Sequence, residues 1–340
     1  ASPETLSLAA RLLRITIPAV LFLNLSGILS GLLYALKRFS FPAFTAAIFN
    51  ATIVVMALAF QRQMGIAAMA FGLLGGAIMQ VVLQAPGLRD AASQFALKLT
   101  HPGLRRVAAL YAPSLVPLVV DVMVSRLILY RFAAQTGEGG ISWMNYATYL
   151  TQLPQGLVAT AISLAILPTL SAHAVGEQAD APDGPFRVML ARGLRLVMVL
   201  ITPATVGLFV LARPTVALLY EHGDFLVLDT LMTSWALRFY LLGLPFAAID
   251  LLLVFAFYAR QDTLTPALIG VSTIVASLLL AAGLLPTWGL FSLMLADSFK
   301  HLLHTLLSAL ILGHRLGGLG GHGVYRTLGR VLLAAVAMGL

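Results

Sequence analysis

The chain has 340 residues, of which 60% are hydrophobic and 10% are charged, and its formal net charge is +8. A water-soluble domain carries about a quarter of charged residues, so the composition excludes an ordinary soluble globular protein, and we predict no nucleic-acid partner from the positive charge. The absence of cysteine excludes disulfides, thiol chemistry and cysteine-based zinc sites.

Apolar stretches of the length that crosses a bilayer run along the whole chain. A helix needs about 20 residues to cross a hydrocarbon core of ~30 Å. Nine complete spans are predicted, and a tenth begins near Tyr325 and runs to the last residue. Their approximate bounds are 15–36, 43–61, 64–84, 107–130, 142–170, 192–212, 231–258, 266–285 and 287–312. The pattern therefore predicts an all-α polytopic membrane protein, and we expect the chain to be a fragment that lacks spans at both ends.

The connections between these spans alternate in basic charge. One set carries thirteen Lys and Arg residues, whereas the other set, with the N-terminal stub, carries five. The richer set is Lys37, Arg38, Arg89, Lys98, Arg105, Arg106, Arg187, Arg192, Arg195, Arg260, Arg315, Arg326 and Arg330. Since basic loops stay in the cytoplasm, this set is assigned to the inside, and the N-terminal stub and Pro214–Asp229 are assigned to the outside.

The chain divides into four predicted regions. Residues 1–85 hold three spans of an N-terminal lobe, 86–106 form a cytoplasmic linker, and 107–312 hold six spans of a C-terminal lobe. Residues 313–340 are a glycine-rich linker and the start of an additional helix.

An internal repeat is visible at an offset of 224 residues. Tyr34-Ala35, a charged residue and Pro42-Ala43 recur as Tyr258-Ala259, a charged residue and Pro266-Ala267. Parallel repeats are typical of transporters that handle substrate between two related bundles.

Ionisable residues inside the spans are the main functional candidates, because each costs about 2.5–3.5 kcal/mol at a helix centre. Asp121 and Arg126 share a span but are five residues apart, a spacing that does not stack well on an α-helix. Two interpretations stay open: these residues line a hydrated cavity, with Asp121 a candidate for ion or proton coupling, or they only neutralise each other. Asp250 has the same two interpretations, as a coupling residue or as a structural ion-pair partner.

A polar stripe follows one face of the span at 287–312. Asp297, Lys300, His301 and His304 are spaced as neighbours on a helix, so Asp297 can neutralise Lys300 or His301. No nucleophile–base arrangement, HExxH or GxSxG occurs. We predict no enzyme activity, no metal site and no cofactor.

Several stretches together resemble the MurJ (MviN) family of lipid II flippases, within the multidrug/oligosaccharidyl-lipid/polysaccharide exporter superfamily. The resemblance covers the whole chain in order. The stretches are Arg38–Phe44 (RFSFPAF), Ser142–Met144 (SWM) with Tyr146-Ala147, Leu153–Gly156 (LPQG), Leu167–Ser171 (LPTLS), Leu219–Phe225 (LYEHGDF) and Phe257–Thr263 (FYARQDT).

The resemblance implies two helical lobes around a cationic cavity and a register in which the chain begins before the fourth family helix. It also implies a multi-pass protein of the bacterial cytoplasmic membrane that moves undecaprenyl-diphosphate-linked peptidoglycan precursor, lipid II, by alternating access. The partners it implies are this lipid and membrane lipids.

The chain departs from the family at a position that matters for substrate. The family has Asp-Arg after Tyr-Ala and an acidic residue three positions further, where this chain has Thr148, Tyr149 and Gln152. Arg126 is the candidate replacement for the missing cation. The predicted substrate-binding residues are Arg126, Ser142, Asn145, Tyr149 and Gln152. The departure leaves two alternatives open: an exporter of another polyprenyl-linked saccharide, and a membrane scaffold that does not transport.

Overall fold

The computed structural model describes residues 3–89, 102–137, 139–174, 184–318 and 322–339, and every regular element in these ranges is a helix. Most of the predicted linker 86–106 and of the polar loop after residue 174 lies outside the described residues. The helices are α1 (Pro3–Ala35), α2 (Ser40–Ala43), α3 (Thr45–Met64), α4 (Ala67–Gln84), α5 (Pro102–Val120), α6 (Arg126–Gln135), α7 (Gly140–Pro154), α8 (Ala161–His173), α9 (Pro185–Val210), α10 (Ala212–Tyr220), α11 (Val227–Ala259), α12 (Leu264–Trp288), α13 (Phe291–Arg315) and α14 (Val324–Gly339).

Among the described residues, seven helical segments are long and apolar enough to cross a membrane, or eight when the bent pair 103–113 and 115–133 counts as one span. All of the nine predicted complete spans fall on helices. The span at 287–312 corresponds to α13, which has 25 residues but is not among the seven because its polar stripe lowers its hydropathy. Large apolar side chains cover the outer faces; Leu21, Ile28 and Leu58, for example, are 69%, 70% and 71% exposed. Such exposure suits a surface that faces lipid.

The chain forms two compact units, residues 1–99 and 100–340. In the first unit, α4 packs against both α1 and α3. Gly72 and Gly76 let α3 and α4 approach closely, since a Cβ at Gly76 would lie 2.8 Å from the carbonyl oxygen of Phe49. The two glycines form a GxxxG motif of the kind that permits close helix packing. On the opposite seam, Ser26 donates a hydrogen bond of 2.8 Å to Gln80 Oε1 and joins α1 to α4.

The second unit is built around α11, which packs against α7, α9 and α13. Phe257, Leu237 and Leu252 of α11 are fully buried in its core. α12 lies against α13 and α5, and α14 lies against α9. The buried guanidinium of Arg187 donates to the backbone carbonyl of Gly318 and ties the start of α9 to the segment before α14.

The internal repeat extends over three pairs of helices. α1 and α11 end at Ala35 and Ala259, which are 224 positions apart. α3 and α12 end at Met64 and Trp288, and α4 and α13 begin at Ala67 and Phe291, again 224 positions apart. The sequence showed this repeat only around the two Tyr-Ala motifs.

Two pairs of turns repeat the backbone conformation as well as the sequence position. Lys37 and Gln261 each lie two residues past the end of a helix, α1 and α11 respectively. Both have φ of 59°, and they are the only non-glycine residues with positive φ in the described ranges. Gly65 and Gly289 end α3 and α12 with φ of 55° and 51°. Because side chains other than glycine rarely adopt this conformation, the shared strain supports a true structural repeat.

The second copy of the first turn is held by an ionic cluster. Asp262 Oδ1 accepts a hydrogen bond of 2.9 Å from the backbone N–H of Thr265, and its Oδ2 accepts one of 2.6 Å from the Thr265 hydroxyl. Arg315, at the end of α13, donates to the same Oδ2. Burial alone would raise the pKa of Asp262, but the hydrogen bonds from Thr265 and the Arg315 guanidinium outweigh it and hold that pKa below its ordinary value of 3.8.

We expect Gly76→Ala to lower the free energy of unfolding by about 1–3 kcal/mol, because the new methyl group collides with the α3 backbone. Gly75→Ala is the matched control, since its methyl group would meet only the Thr52 side chain at 3.4 Å. Thermal unfolding in detergent measures both variants. Equal stability of the two variants would contradict the close approach.

We expect Asp262→Asn to lower stability at neutral pH by about 1 kcal/mol or less, as the pair is partly exposed. A carboxylate whose folded pKa is depressed contributes stability above its unfolded pKa and loses it as the pH falls through the folded pKa. Melting curves of variant and wild type should therefore converge below pH ~4. Asp224→Asn, which removes an exposed carboxylate, is the control and should show no such convergence.

Candidate functional site

A cavity of about 240 Å³ lies inside the second unit, lined by α6, α7, α11, α13 and the turn before α6. Four charged side chains line it: Asp121, Arg126, Asp297 and Lys300. Two of the surrounding segments, 140–173 and 227–259, are long and apolar enough to cross a membrane. The polar groups are thus concentrated in one place within an apolar bundle.

A π-helical turn brings Asp121 and Arg126 together. Residues 121–125 form one π-turn between α5 and α6, in which the backbone N–H of Arg126 donates to the carbonyl of Asp121. A π-turn stacks residues five apart, so the spacing that does not stack well on an α-helix brings the two side chains close here. Arg126 Nε lies 3.9 Å from Asp121 Oδ2, and the Arg126 side chain remains 64% exposed.

Three residues of the polar stripe of α13 also line the cavity: Asp297, Lys300 and His301. Lys300 Nζ donates a hydrogen bond of 2.6 Å to Asp297 Oδ1, and His301 Nε2 lies 3.7 Å from Asp297 Oδ2. The prediction that Asp297 can neutralise Lys300 is confirmed. Tyr240 of α11 also lines this cavity.

Uncharged polar side chains of α7 complete the lining. Asn145, Thr148, Thr151 and Gln152 all face the cavity. The Thr148 and Thr151 hydroxyls donate to carbonyls of their own helix. With two cations, two carboxylates and several amides, the cavity can hold a hydrated, charged group that the apolar faces of the helices would exclude.

Asp250 lies outside this cavity and pairs with His304 across the α11–α13 seam. Asp250 Oδ1 and His304 Nδ1 are 2.6 Å apart, with side chains 15% and 13% exposed, and the Ser308 hydroxyl is 3.2 Å from the same nitrogen. In the repeat, Asp250 and His304 correspond to Ser26 and Gln80, which also bond to each other. The same bridge is neutral in the first unit and ionisable in the second.

The predicted site residues separate into two groups. Asp121, Arg126, Asn145 and Gln152 line the cavity. Tyr149 is 60% exposed and does not line it. Ser142 lines a second, more open pocket instead.

This second pocket, of about 420 Å³, lies at the segment predicted to be outside. Tyr146, Tyr220 and Phe225 form an aromatic cluster with ring centroids 4.7–5.9 Å apart. Trp143 Nε1 donates a hydrogen bond of 2.7 Å to Asp229. Burial, with Tyr146 and Tyr149 nearby, raises the pKa of Tyr220, so its hydroxyl stays protonated. The cluster fixes the start of α7 against the outer segment.

Sequence reasoning did not assign Asp297, Lys300 or Tyr240 to a binding site. The spacing of the α13 stripe was visible, but it does not show that the stripe and Arg126 face the same space. Among the described residues, no group of three His, Asp or Glu side chains is arranged to hold a metal ion.

Comparisons with known proteins identify one family. The family described as "Lipid II flippase MurJ" matches residues 1–340. The lipid II flippase MurJ of Burkholderia cenocepacia is 31% identical over 324 residues, 93% of this chain and 61% of that protein. The probable lipid II flippase MurJ of Haemophilus influenzae is 30% identical over 276 residues, 79% of this chain and 54% of its own length. The chain therefore spans little more than half the length of these relatives.

Solved structures give the same result. A lipid II flippase MurJ in an inward closed conformation matches with a TM-score of 0.75 and 25% identity, covering 99% of this chain and 69% of that one. The MATE transporter VcmN of Vibrio cholerae matches with a TM-score of 0.68 and 10% identity, covering 98% of this chain and 72% of its own, which shows a shared fold only.

We expect His304→Ala to destabilise the protein, because it leaves the carboxylate of Asp250 in a half-buried seam without its partner. A double-mutant cycle with Asp250→Asn should give a coupling free energy of about 1–3 kcal/mol. His314→Ala, at the exposed end of α13, is the control and should have little effect. Additive effects of the Asp250 and His304 substitutions on thermal unfolding would show that the bridge contributes nothing.

Proposed function

Because the chain belongs to the family of the lipid II flippase MurJ, we propose that it acts in moving undecaprenyl-diphosphate-linked lipid II across the bacterial cytoplasmic membrane by alternating access. The observation that carries the proposal is a charged cavity enclosed by apolar helices in a chain that matches the family from its first residue to its last. The reaction is translocation, so no bond of the substrate is broken and no enzyme chemistry is needed.

The physical problem is the headgroup. A diphosphate with its sugars and peptide would lose its hydration in hydrocarbon, at a cost of many kcal/mol. The apolar polyprenyl chain, in contrast, is soluble in the bilayer interior. A hydrated cavity that opens to one side and then the other removes that cost. Arg126 is the cation best placed to meet the diphosphate, since its guanidinium lines the cavity and is largely exposed.

Uncharged residues of α7 would bind the rest of the headgroup. Asn145 and Gln152 line the cavity and offer amide groups to sugar hydroxyls. Ser142 and Tyr149 lie away from it, so in this proposal they contact the headgroup only outside the cavity, Ser142 at the outer pocket.

Asp121 and Asp250 are the candidates for coupling to an ion or a proton. Asp121 lines the cavity beside Arg126, so a bound anion competes with it for that guanidinium. Asp250 faces an imidazole at 2.6 Å, an arrangement that can exchange a proton between two helices.

A second candidate function is export of another polyprenyl-linked saccharide. It is favoured by Thr148 and Gln152, which line the cavity where the resemblance predicts Asp and an acidic residue, with Tyr149 in place of the expected arginine. A cavity with fewer charges suits a different sugar moiety while keeping the diphosphate contact. A non-transporting scaffold is the third alternative.

Complementation distinguishes these functions. We expect the gene to restore growth of a strain depleted of its own lipid II flippase. Failure to do so, together with capture of another labelled polyprenyl-diphosphate saccharide in a pulldown, would favour the second function. Failure of both assays would leave the scaffold.

We expect Arg126→Ala to reduce transport by at least tenfold, because the cavity loses its most accessible cation, and Arg126→Lys to restore part of it. Arg131→Ala removes an arginine of the same helix that does not line the cavity and is the matched control. The measurement is lipid II translocation in reconstituted vesicles. Normal translocation by Arg126→Ala would remove Arg126 from the site.

A further inference from the structure

We propose that Lys300 is a second diphosphate-binding cation and that Asp297 acts as its built-in counter-ion, which the headgroup has to displace. The inference rests on the proposed function, because it requires an anionic lipid headgroup in the cavity. It assigns to one pair of residues both the affinity of the site and the release of its substrate.

The ammonium group of Lys300 already has an ion-pair partner in this structure. Lys300 Nζ lies 2.6 Å from Asp297 Oδ1, and the two side chains are 22% and 28% exposed, so both reach the cavity without being fully solvated. Their spacing of three residues on α13 lets the pair form without any other element. A lysine in this state offers a phosphate no uncompensated charge unless its carboxylate partner moves away.

The carboxylate has a second neighbour to move toward. Asp297 Oδ2 lies 3.7 Å from the Nε2 of His301, the residue that follows Lys300 on the same helix. Rotation of the Asp297 side chain toward the imidazole frees the ammonium without a change in the α13 backbone. Lys300 and His301 are therefore alternative partners of the single carboxylate of Asp297.

The cost of unpaired charges explains why the cavity residues form ion pairs before a headgroup binds. An unpaired ammonium inside a bundle of apolar helices is costly, and so is an unpaired carboxylate. Asp121 with Arg126, and Asp297 with Lys300, make the lining neutral in formal charge when no substrate is present. A diphosphate replaces one internal carboxylate by a stronger anion and shares the ammonium through charge-assisted hydrogen bonds.

Release follows from the same competition. Once the cavity opens to the other side, Asp297 can return to Lys300 and displace the phosphate, so the carboxylate that weakens binding also speeds departure. Its removal should make the site tighter and the cycle slower.

The experiment measures binding of fluorescent undecaprenyl diphosphate to the protein in nanodiscs, with undecaprenol as the uncharged probe. We expect Asp297→Asn to tighten diphosphate binding about tenfold and to leave undecaprenol binding unchanged. Lys300→Met should weaken binding only slightly in the wild-type background, where the lysine is occupied. In the Asp297→Asn background it should abolish the gain.

Transport assays give an independent readout. For Asp297→Asn we expect a lower KM and a lower kcat for lipid II, whereas simple damage to the site would raise KM. Asp262→Asn removes a carboxylate that pairs with Arg315 and does not line the cavity, so it is the control for net charge. Asp297→Ser replaces Asp297→Asn if the latter does not elute and melt as a folded protein.

The outcomes separate the two proposals. If the wild type binds diphosphate and undecaprenol equally well, the proposed function fails. If the wild type prefers the diphosphate but Asp297→Asn and Asp297→Ser bind it no more tightly, the function stands and the counter-ion role is overturned. Additive effects of Asp297→Asn and Lys300→Met would also overturn it.

Discussion

The need to pair every charge inside an apolar bundle shapes the second unit of this protein. Three pairs meet it: Asp121 with Arg126, Asp297 with Lys300, and Asp250 with His304. The first two pairs line the same cavity. The third lies outside that cavity and joins α11 to α13. A charge that has to be paired is also a charge that a substrate can compete for, so the same constraint links folding to function.

Most of the fold was predictable because the bilayer imposes a length and a composition on each helix. The nine complete spans fell on helices, and the repeat was detectable from two Tyr-Ala motifs. Its full extent was not, because the conserved features are backbone conformations rather than residue types. Gly65 and Gly289 share a positive φ, but one pair of matching glycines carries little weight in a sequence with 29 of them.

The candidate site was predictable only in part, since a sequence shows which residues are ionisable but not which faces meet. Asp121 and Arg126 stood out as charges within a span, yet the π-turn that stacks them leaves no mark in the pattern. On α7, the cavity face centres on Thr148, and Tyr149 is rotated from it by about 100°, one residue at 3.6 per turn. The rotation of α7 is set by its packing against α11, which a family resemblance does not supply at single-residue precision.

The two copies of the internal repeat also differ in which substitutions they tolerate. At the positions of Lys300 and His301, the first copy has Gly76 and Ala77, both buried, and Gly76 sits against the backbone of α3. At those positions the first copy has little room for larger residues, and its neutral Ser26–Gln80 bridge can lose one partner at modest expense. The second copy has room but cannot lose one charge of a pair freely, since loss of the partner would leave Asp250 alone in the α11–α13 seam or Asp297 alone in the cavity. Substitutions are therefore limited mainly by side-chain volume in the first copy and by charge pairing in the second.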